Sequence, residues 1–125
     1  MQNSSQDVRK KALGRSGEKR AVKYLKKAGL RIVKVNYKTP FGEADIVARE
    51  GETFVLCEVK TRTGETFGTP AEAVDFQKRE RYINIARYMQ MRAGEELSVR
   101  FDVVEVFGDK INHIAGAFSA EKRKF

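Results

Sequence analysis

The sequence predicts a mixed α/β domain with helices flanking a central sheet, and three observations lead there. Two long segments carry helix signals: Gly29 follows a basic amphipathic run, and Thr69-Pro70-Ala71-Glu72 precedes a second run. Five further segments alternate, or run apolar, at strand length and are divided by glycine-containing turns. A chain of 125 residues with 8 Phe and 4 Tyr is large enough for one core and apolar enough to fold.

A loose tail is expected over residues 1–8, one domain over 9–120 and a basic tail over 121–125. The first helix should run from about Lys11 to Ala28, with Gly29 as the residue that ends it. Leu30 to Tyr37 alternates and reads as a strand. Glu43 to Arg49 and Thr53 to Thr61 read as two more, joined around Glu50-Gly51-Glu52. Thr69 can cap the second helix, Pro70 suits its first position and Glu72 completes a capping box, so this helix should run to about Arg92 and end near Gly94. Val74, Tyr82, Ile85, Ala86 and Met89 form its apolar stripe, with Gln77 and Lys78 on the margin. Leu97 to Phe107 and Ile111 to Phe118 read as strands hinged at Gly108-Asp109.

Charge is distributed unevenly. The net charge is +8, yet residues 1–38 carry 12 Lys or Arg against only Asp7 and Glu18, and the remainder is slightly acidic. A basic arm beside a near-neutral body is the footprint of a polyanion partner, most often nucleic acid. The alternative is a basic helix kept for solubility. A membrane-surface helix fits less well, because Leu13, Ala21, Val22 and Leu25 offer a modest apolar face without Trp or Phe. No apolar run is long enough to span a bilayer, and the N-terminal residues lack a secretory apolar segment. The lone Cys57 sits among apolar neighbours, fits a packing role and suits a reducing cytoplasm.

The strand Val55-Leu56-Cys57-Glu58-Val59-Lys60-Thr61-Arg62 is apolar on both faces until Glu58 and Lys60, which share one face. A hairpin loop at Gly51-Glu52, with glycine first as a type II′ turn prefers, sets Asp45 opposite Glu58 and Glu43 opposite Lys60. Carboxylates paired across strands lie about 5 Å apart at Cβ and repel. A cation between them would relieve that repulsion. Two carboxylates plus a backbone carbonyl, such as that of Val59, make the oxygen-only set that suits Mg²⁺. Lys60 beside it could orient or deprotonate an attacking water. The alternative is an ordinary salt-bridge network on a solvated face. Glu18 lies on the stripe Glu18, Ala21, Val22, Leu25 and faces inward, toward Lys60 or a metal, or else pairs with Lys19, Arg20 or Lys23. Asp102 suits a structural hydrogen-bonding role, and His113 receives none.

Taken together, Gly14, Gly17-Glu18, Val35-Asn36-Tyr37, Gly42-Glu43, Asp45, Glu58 to Arg62, Phe67-Gly68, Ala73-Val74, Lys78 and Arg100 to Val104 resemble the YraN family. That family of small bacterial proteins is similar to the Holliday-junction-resolvase-like branch of the PD-(D/E)xK nuclease superfamily. The likeness spans about residues 14–107 and implies a restriction-endonuclease-like α-β-β-β-α-β core. It also implies Asp45 and Glu58 as metal ligands, Lys60 as the catalytic amine and Glu18 as a further acid. Ala44, where the family usually has a larger aliphatic residue, is expected on the face opposite the acids. The function expected is Mg²⁺- or Mn²⁺-dependent phosphodiester hydrolysis on DNA, on branched or single strands, with a non-catalytic nucleic-acid-binding module as the alternative. Arg15, Lys19, Arg20, Lys23, Arg62 and Lys78 are the candidate nucleic-acid contacts. Resolvase-like relatives suggest a homodimer by analogy.

Overall fold

A computed structural model describes residues 4–62 and 75–120, with side chains of the first helix described from Arg15 onward. Helix α1 spans Ser4–Lys27, followed by β1 (Arg31–Thr39), β2 (Gly42–Glu50) and β3 (Thr53–Arg62). Helix α2 spans Phe76–Ala93, and β4 (Val99–Phe107) and β5 (Lys110–Phe118) complete the elements of the described residues. The five strands form one sheet in the order β1-β2-β3-β4-β5. Only β3 and β4 run parallel, and α2 lies on the connection between them. This is the mixed sheet flanked by helices that the element order predicts.

Neighbouring strand residues feed two separate cores. Ala21, Leu25 and Leu30 join Ile46, Ala48, Val55, Cys57, Val104 and Val106 under α1. Tyr82, Ile83, Ile85, Ala86 and Met89 of α2 join Ala44, Val47, Leu56, Phe101 and Val103 on the other side. Val55 against Leu56, and Val103 against Val104, show the period-2 alternation that splits the chain into three layers.

The end of α1 follows from Gly29. With φ at 98°, it lets the Leu30 amide reach the Leu25 carbonyl at 3.0 Å while its own amide reaches Lys26 at 3.1 Å. This is a Schellman closure, and Leu25 and Leu30 bury together beneath it. The start of α1 differs from expectation. It begins at Ser4 rather than near Lys11, because Ser4 to Lys10 contains neither Pro nor Gly and can extend the helix. The start of α2 differs too. Asp75 is extended, and its side chain accepts the Lys78 amide at 2.9 Å, so a single helix from Pro70 to Arg92 does not form. The capping box at Thr69 to Glu72, together with Phe67-Gly68 and Val74, lies outside the described residues. At its far end α2 closes on Gly94, as the sequence predicts.

Gly51 takes φ 61° in the β2–β3 turn and Glu52 does not, which is the type II′ pattern. Ile46 then pairs with Cys57 and Glu50 with Thr53, the register expected from the turn.

Candidate active site

The β2–β3 ladder stops at Ile46 and Cys57, one residue short of Asp45 and Glu58. Beyond that point β2 continues with β1 as far as Gly42, while β3 continues with β4 as far as Arg62. The sheet forks there. Asp45 Oδ2 takes the Val59 amide at 2.8 Å in place of a ladder bond. The Asp45 amide in turn donates to the Tyr82 hydroxyl of α2 at 3.1 Å.

Asp45 is also missing from the β1–β2 pairing, where the register passes from Val35–Ile46 to Tyr37–Ala44. Its absent partner would be Asn36, which is in the left-handed region at φ 56°. Asparagine tolerates that conformation better than a branched residue would. The paired kinks change which side residues face. Ala44 joins the core beneath α2, the side of the sheet that Tyr82 occupies, and not the opposite face. Alternation then turns Glu43 toward α1, where it acts on Glu18, instead of standing beside Lys60 on one regular face.

The acids converge at this fork. Burial first, and then the charge of Glu58, push the Asp45 carboxyl up to about 7, although the Val59 amide opposes the rise. Glu18 is raised as well, by burial first, then by Glu43 and Glu58, while a hydrogen bond from Asn36 pulls the other way. Glu58 is buried and compensated by cations from α2. Lys78 Nζ stands 3.0 Å from Oε2, and Arg81 Nη2 stands 3.6 Å from Oε1. The Tyr82 hydroxyl donates to Glu58 Oε1 at 2.8 Å. Lys60, half-buried and two residues beyond Glu58, shares its side of β3 by alternation. Glu18 reaches the cluster because α1 crosses β3 closely at Gly17, where a Cβ would overlap the Thr61 hydroxyl.

Residues 17–106 match the model of an uncharacterised protein family, UPF0102. The chain belongs to UPF0102. A UPF0102 protein of Thermodesulfovibrio yellowstonii is 42% identical over 106 residues, covering 85% of this chain and 95% of its own. One from Moorella thermoacetica is 46% identical over 104 residues, covering 82% and 87%. Among solved structures, this UPF0102 chain is similar to Hjc, a Holliday junction resolvase of Archaeoglobus fulgidus. The TM-score is 0.52 at 25% identity, over 78% of this chain and 72% of that one. The fold is therefore restriction-endonuclease-like.

The remaining candidates of this UPF0102 chain separate by position. Arg15 and Lys19 flank Glu18 on the β1 side of α1. Arg20 and Lys23 lie on the other flank, with Tyr24 and Lys27, near Asp109 and Ile111. Lys78 is drawn into the acid cluster. Arg62 is held by the fully buried Glu105, at 3.0 Å, and Asn112 donates to the same carboxylate at 2.9 Å. Its guanidinium is anchored in the fold.

The sequence does not signal two features. Periodicity places Tyr82 in the core, and its hydroxyl also bridges α2 to both strands of the fork. His113, a lone histidine in the sequence, puts its Nε2 2.7 Å from Asp102 Oδ2, and its ring meets Tyr24 edge-on. Asp102 is fully buried and takes hydrogen bonds from Arg100 and from the Gly116 amide, the structural role expected of it. Burial would raise its carboxyl, but His113, Arg100 and Gly116 together bring it down to about 2. Cys57 is buried, as expected.

Proposed function

We propose that this protein is a divalent-metal-dependent endonuclease acting on branched or single-stranded DNA. The observation that carries the reading is the convergence of Asp45 and Glu58 at the fork, with Asp45 held near neutrality by burial and its neighbour. A resolvase of known fold supports the choice of phosphodiester chemistry.

The donor set fits Mg²⁺ or Mn²⁺. Asp45, Glu58 and the Val59 carbonyl offer oxygen alone, and while Lys78 and Arg81 pair with Glu58, Asp45 makes no ion pair among the described residues. No cage of three or more His, Cys, Asp or Glu side chains is gathered among the described residues. A site of two carboxylates would hold a cation that keeps waters and takes further ligands from phosphate. When bound, such an ion supplies neutralisation at the attacked phosphate.

The chain's own residues supply the rest. Lys60 orients the attacking water and stabilises charge on the phosphate oxygens. Asp45, with its carboxyl pushed up to about 7 by burial and by Glu58, gives up its proton close to physiological pH and so becomes free to hold the ion. Glu18, oriented by Asn36, completes the acidic wall. Arg15 and Lys19 hold the strand by its phosphates, with Arg20 and Lys23 extending that contact over the helix. These contacts weaken steeply with salt.

The test is incubation with junction, flap, single-strand and duplex DNA in Mg²⁺ or Mn²⁺. Cleavage of a branched or single-stranded substrate that is lost in Lys60→Ala is expected. No cleavage of any substrate, or equal cleavage by the variant, overturns the proposal.

A second reading draws on Lys78 and Arg81, which already balance Glu58. If they permanently replace the metal, the protein is a nucleic-acid-binding module without turnover. It would then bind DNA salt-dependently, and Mg²⁺ would leave its melting temperature unchanged.

A further inference from the structure

Between α1 and β1 lies a cleft of about 320 Å³, lined by Arg15, Glu18, Lys19, Val22, Val35 and Asn36. Its walls are chiefly apolar, and two cations stand at its rim. Val35 is still 37% exposed, although its neighbours in β2 are buried. β1 is the edge strand of the sheet, so the cleft is open to a chain approaching from that side. The volume is at the small end of the range for ligand pockets, roughly 300–1,000 Å³.

Three features of this lining select one kind of occupant. Apolar walls exclude a bare phosphate, which would want hydrogen-bond donors on every side. Arg15 and Lys19 favour a group that carries negative charge. The Asn36 amide bonds Glu18 and retains further donor and acceptor capacity for a polar edge. A flat body with a polar edge and an anionic tail describes a nucleotide. Within a duplex the base faces are stacked away, so only an unpaired base can lay its face on Val22 and Val35.

The cleft is continuous with the acid cluster, because Glu18 belongs to both. It forms one wall here and feels the charges of Glu43 and Glu58. We infer that the α1–β1 cleft is a subsite for one unpaired nucleotide adjacent to the scissile phosphate. The base lies on Val22 and Val35, its edge meets Asn36, and the flanking phosphates meet Arg15 and Lys19. This rests on the nuclease reading above, which puts a phosphodiester at the acids. It makes local unpairing, and not junction shape alone, the property the protein selects.

The chain contains no tryptophan, which gives a direct probe. Val35→Trp puts an indole on the cleft wall, and Val33→Trp puts one on the same edge strand outside the cleft lining, at a residue 48% exposed. Both full-length variants are titrated without divalent ion against single-stranded DNA, duplex DNA, thymidine 5′-monophosphate and inorganic phosphate. Quenching of Val35→Trp by single strand and by the mononucleotide is expected, with at least fivefold tighter single-strand binding than wild type and duplex affinity unchanged. Val33→Trp should stay unquenched. Equal quenching by inorganic phosphate, or by duplex, or in both variants, overturns the subsite. So does no quenching in a Val35→Trp protein whose circular dichroism matches wild type. If Val35→Trp does not fold, amide resonances of Val22, Val35 and Asn36 in the wild-type protein give the same decision. They should move with thymidine monophosphate and not with phosphate. Cleavage without quenching removes the subsite alone, whereas quenching without cleavage removes the chemistry and leaves the nucleotide site.

Discussion

The Tyr82 hydroxyl lies 2.8 Å from Glu58 Oε1, and through this contact α2 holds one acid of the fork in place. The same oxygen accepts the Asp45 amide at 3.1 Å and lies 3.3 Å from the Cys57 carbonyl. Burial and the charges of Glu58 and Asp45 raise the phenol far above its ordinary value, so it remains a donor at any working pH. It wedges apart the two strands that would otherwise go on pairing, and it satisfies the backbone groups exposed where they separate.

Tyr82→Phe keeps the ring and removes the wedge's polar tip. The Asp45 amide and Glu58 Oε1 each lose a partner in a buried setting, which costs about 1–3 kcal/mol. Urea unfolding should show this as a lower midpoint with an unchanged slope. If the fork is the active site, kcat falls while KM for DNA is retained, because Tyr82 is too deeply buried to touch substrate. A midpoint equal to wild type would mean that the hydroxyl does not hold the fork.

The pH dependence of stability follows from Asp45. Its folded carboxyl, near 7, lies above the ordinary 3.8, so between these values the folded protein binds more protons than the unfolded one. Stability therefore falls as pH rises through that window, and the penalty is fully present above pH 7. Asp45→Asn should melt higher than wild type at pH 8, with the difference shrinking toward pH 4. Mg²⁺ should raise the wild-type melting temperature more at pH 8 than at pH 5, and should leave Asp45→Asn nearly unmoved. Wild-type and variant melting curves that stay parallel across this range would contradict the assignment.

On the proposed function, Lys78 competes for the same carboxylate that a metal would need. Its ammonium is 3.0 Å from Glu58 Oε2 and partly exposed, so solvent screens the pair. Lys78→Ala should cost about 1 kcal/mol without metal, since Arg81 remains nearby. It should also lower the Mg²⁺ concentration at the midpoint of thermal stabilisation several-fold. An unchanged or higher midpoint would mean that the lysine assists the metal instead of displacing it.

Much of this arrangement is legible in the sequence, and the part that is not has a common cause. Asp45 and Glu58 can be brought near each other in advance because a two-residue turn fixes the register as far as Ile46 and Cys57, the residues next to them. Gly29 and Gly94 mark helix ends by local chemistry alone. The kink at Asn36 leaves only the weak signal of an asparagine, and the one at Asp45 leaves none: neither is a glycine or a proline, and it is the Tyr82 hydroxyl, from another element, that takes the Asp45 amide. Glu43 is misplaced for that reason. The ion pair of Lys78 with Glu58 and the hydrogen bond of His113 with Asp102 are not legible, because their partners belong to other elements. Periodicity gives a residue's face on its own helix or strand, not what the next layer sets against it.

Asp102 offers a test away from the acid cluster. Its fully buried carboxylate is held by Arg100 Nε and Nη2, at 2.8 and 2.9 Å, by His113 and by the Gly116 amide. Asp102→Asn removes the charge and leaves Arg100 facing an amide, at a cost of about 3 kcal/mol. Because the folded carboxyl is near 2, below the ordinary 3.8, its stabilisation is complete above pH 4 and is lost as pH falls through 2. Urea midpoints of wild type and variant should thus differ widely at pH 7 and approach each other near pH 2.5. The Mg²⁺-induced rise in melting temperature at pH 8 should be the same in both, since Asp102 lies on β4, outside the fork of β2 and β3. A lost Mg²⁺ response in Asp102→Asn would mean that β4 and the fork are coupled, and that the acid cluster depends on more of the sheet than its own two strands.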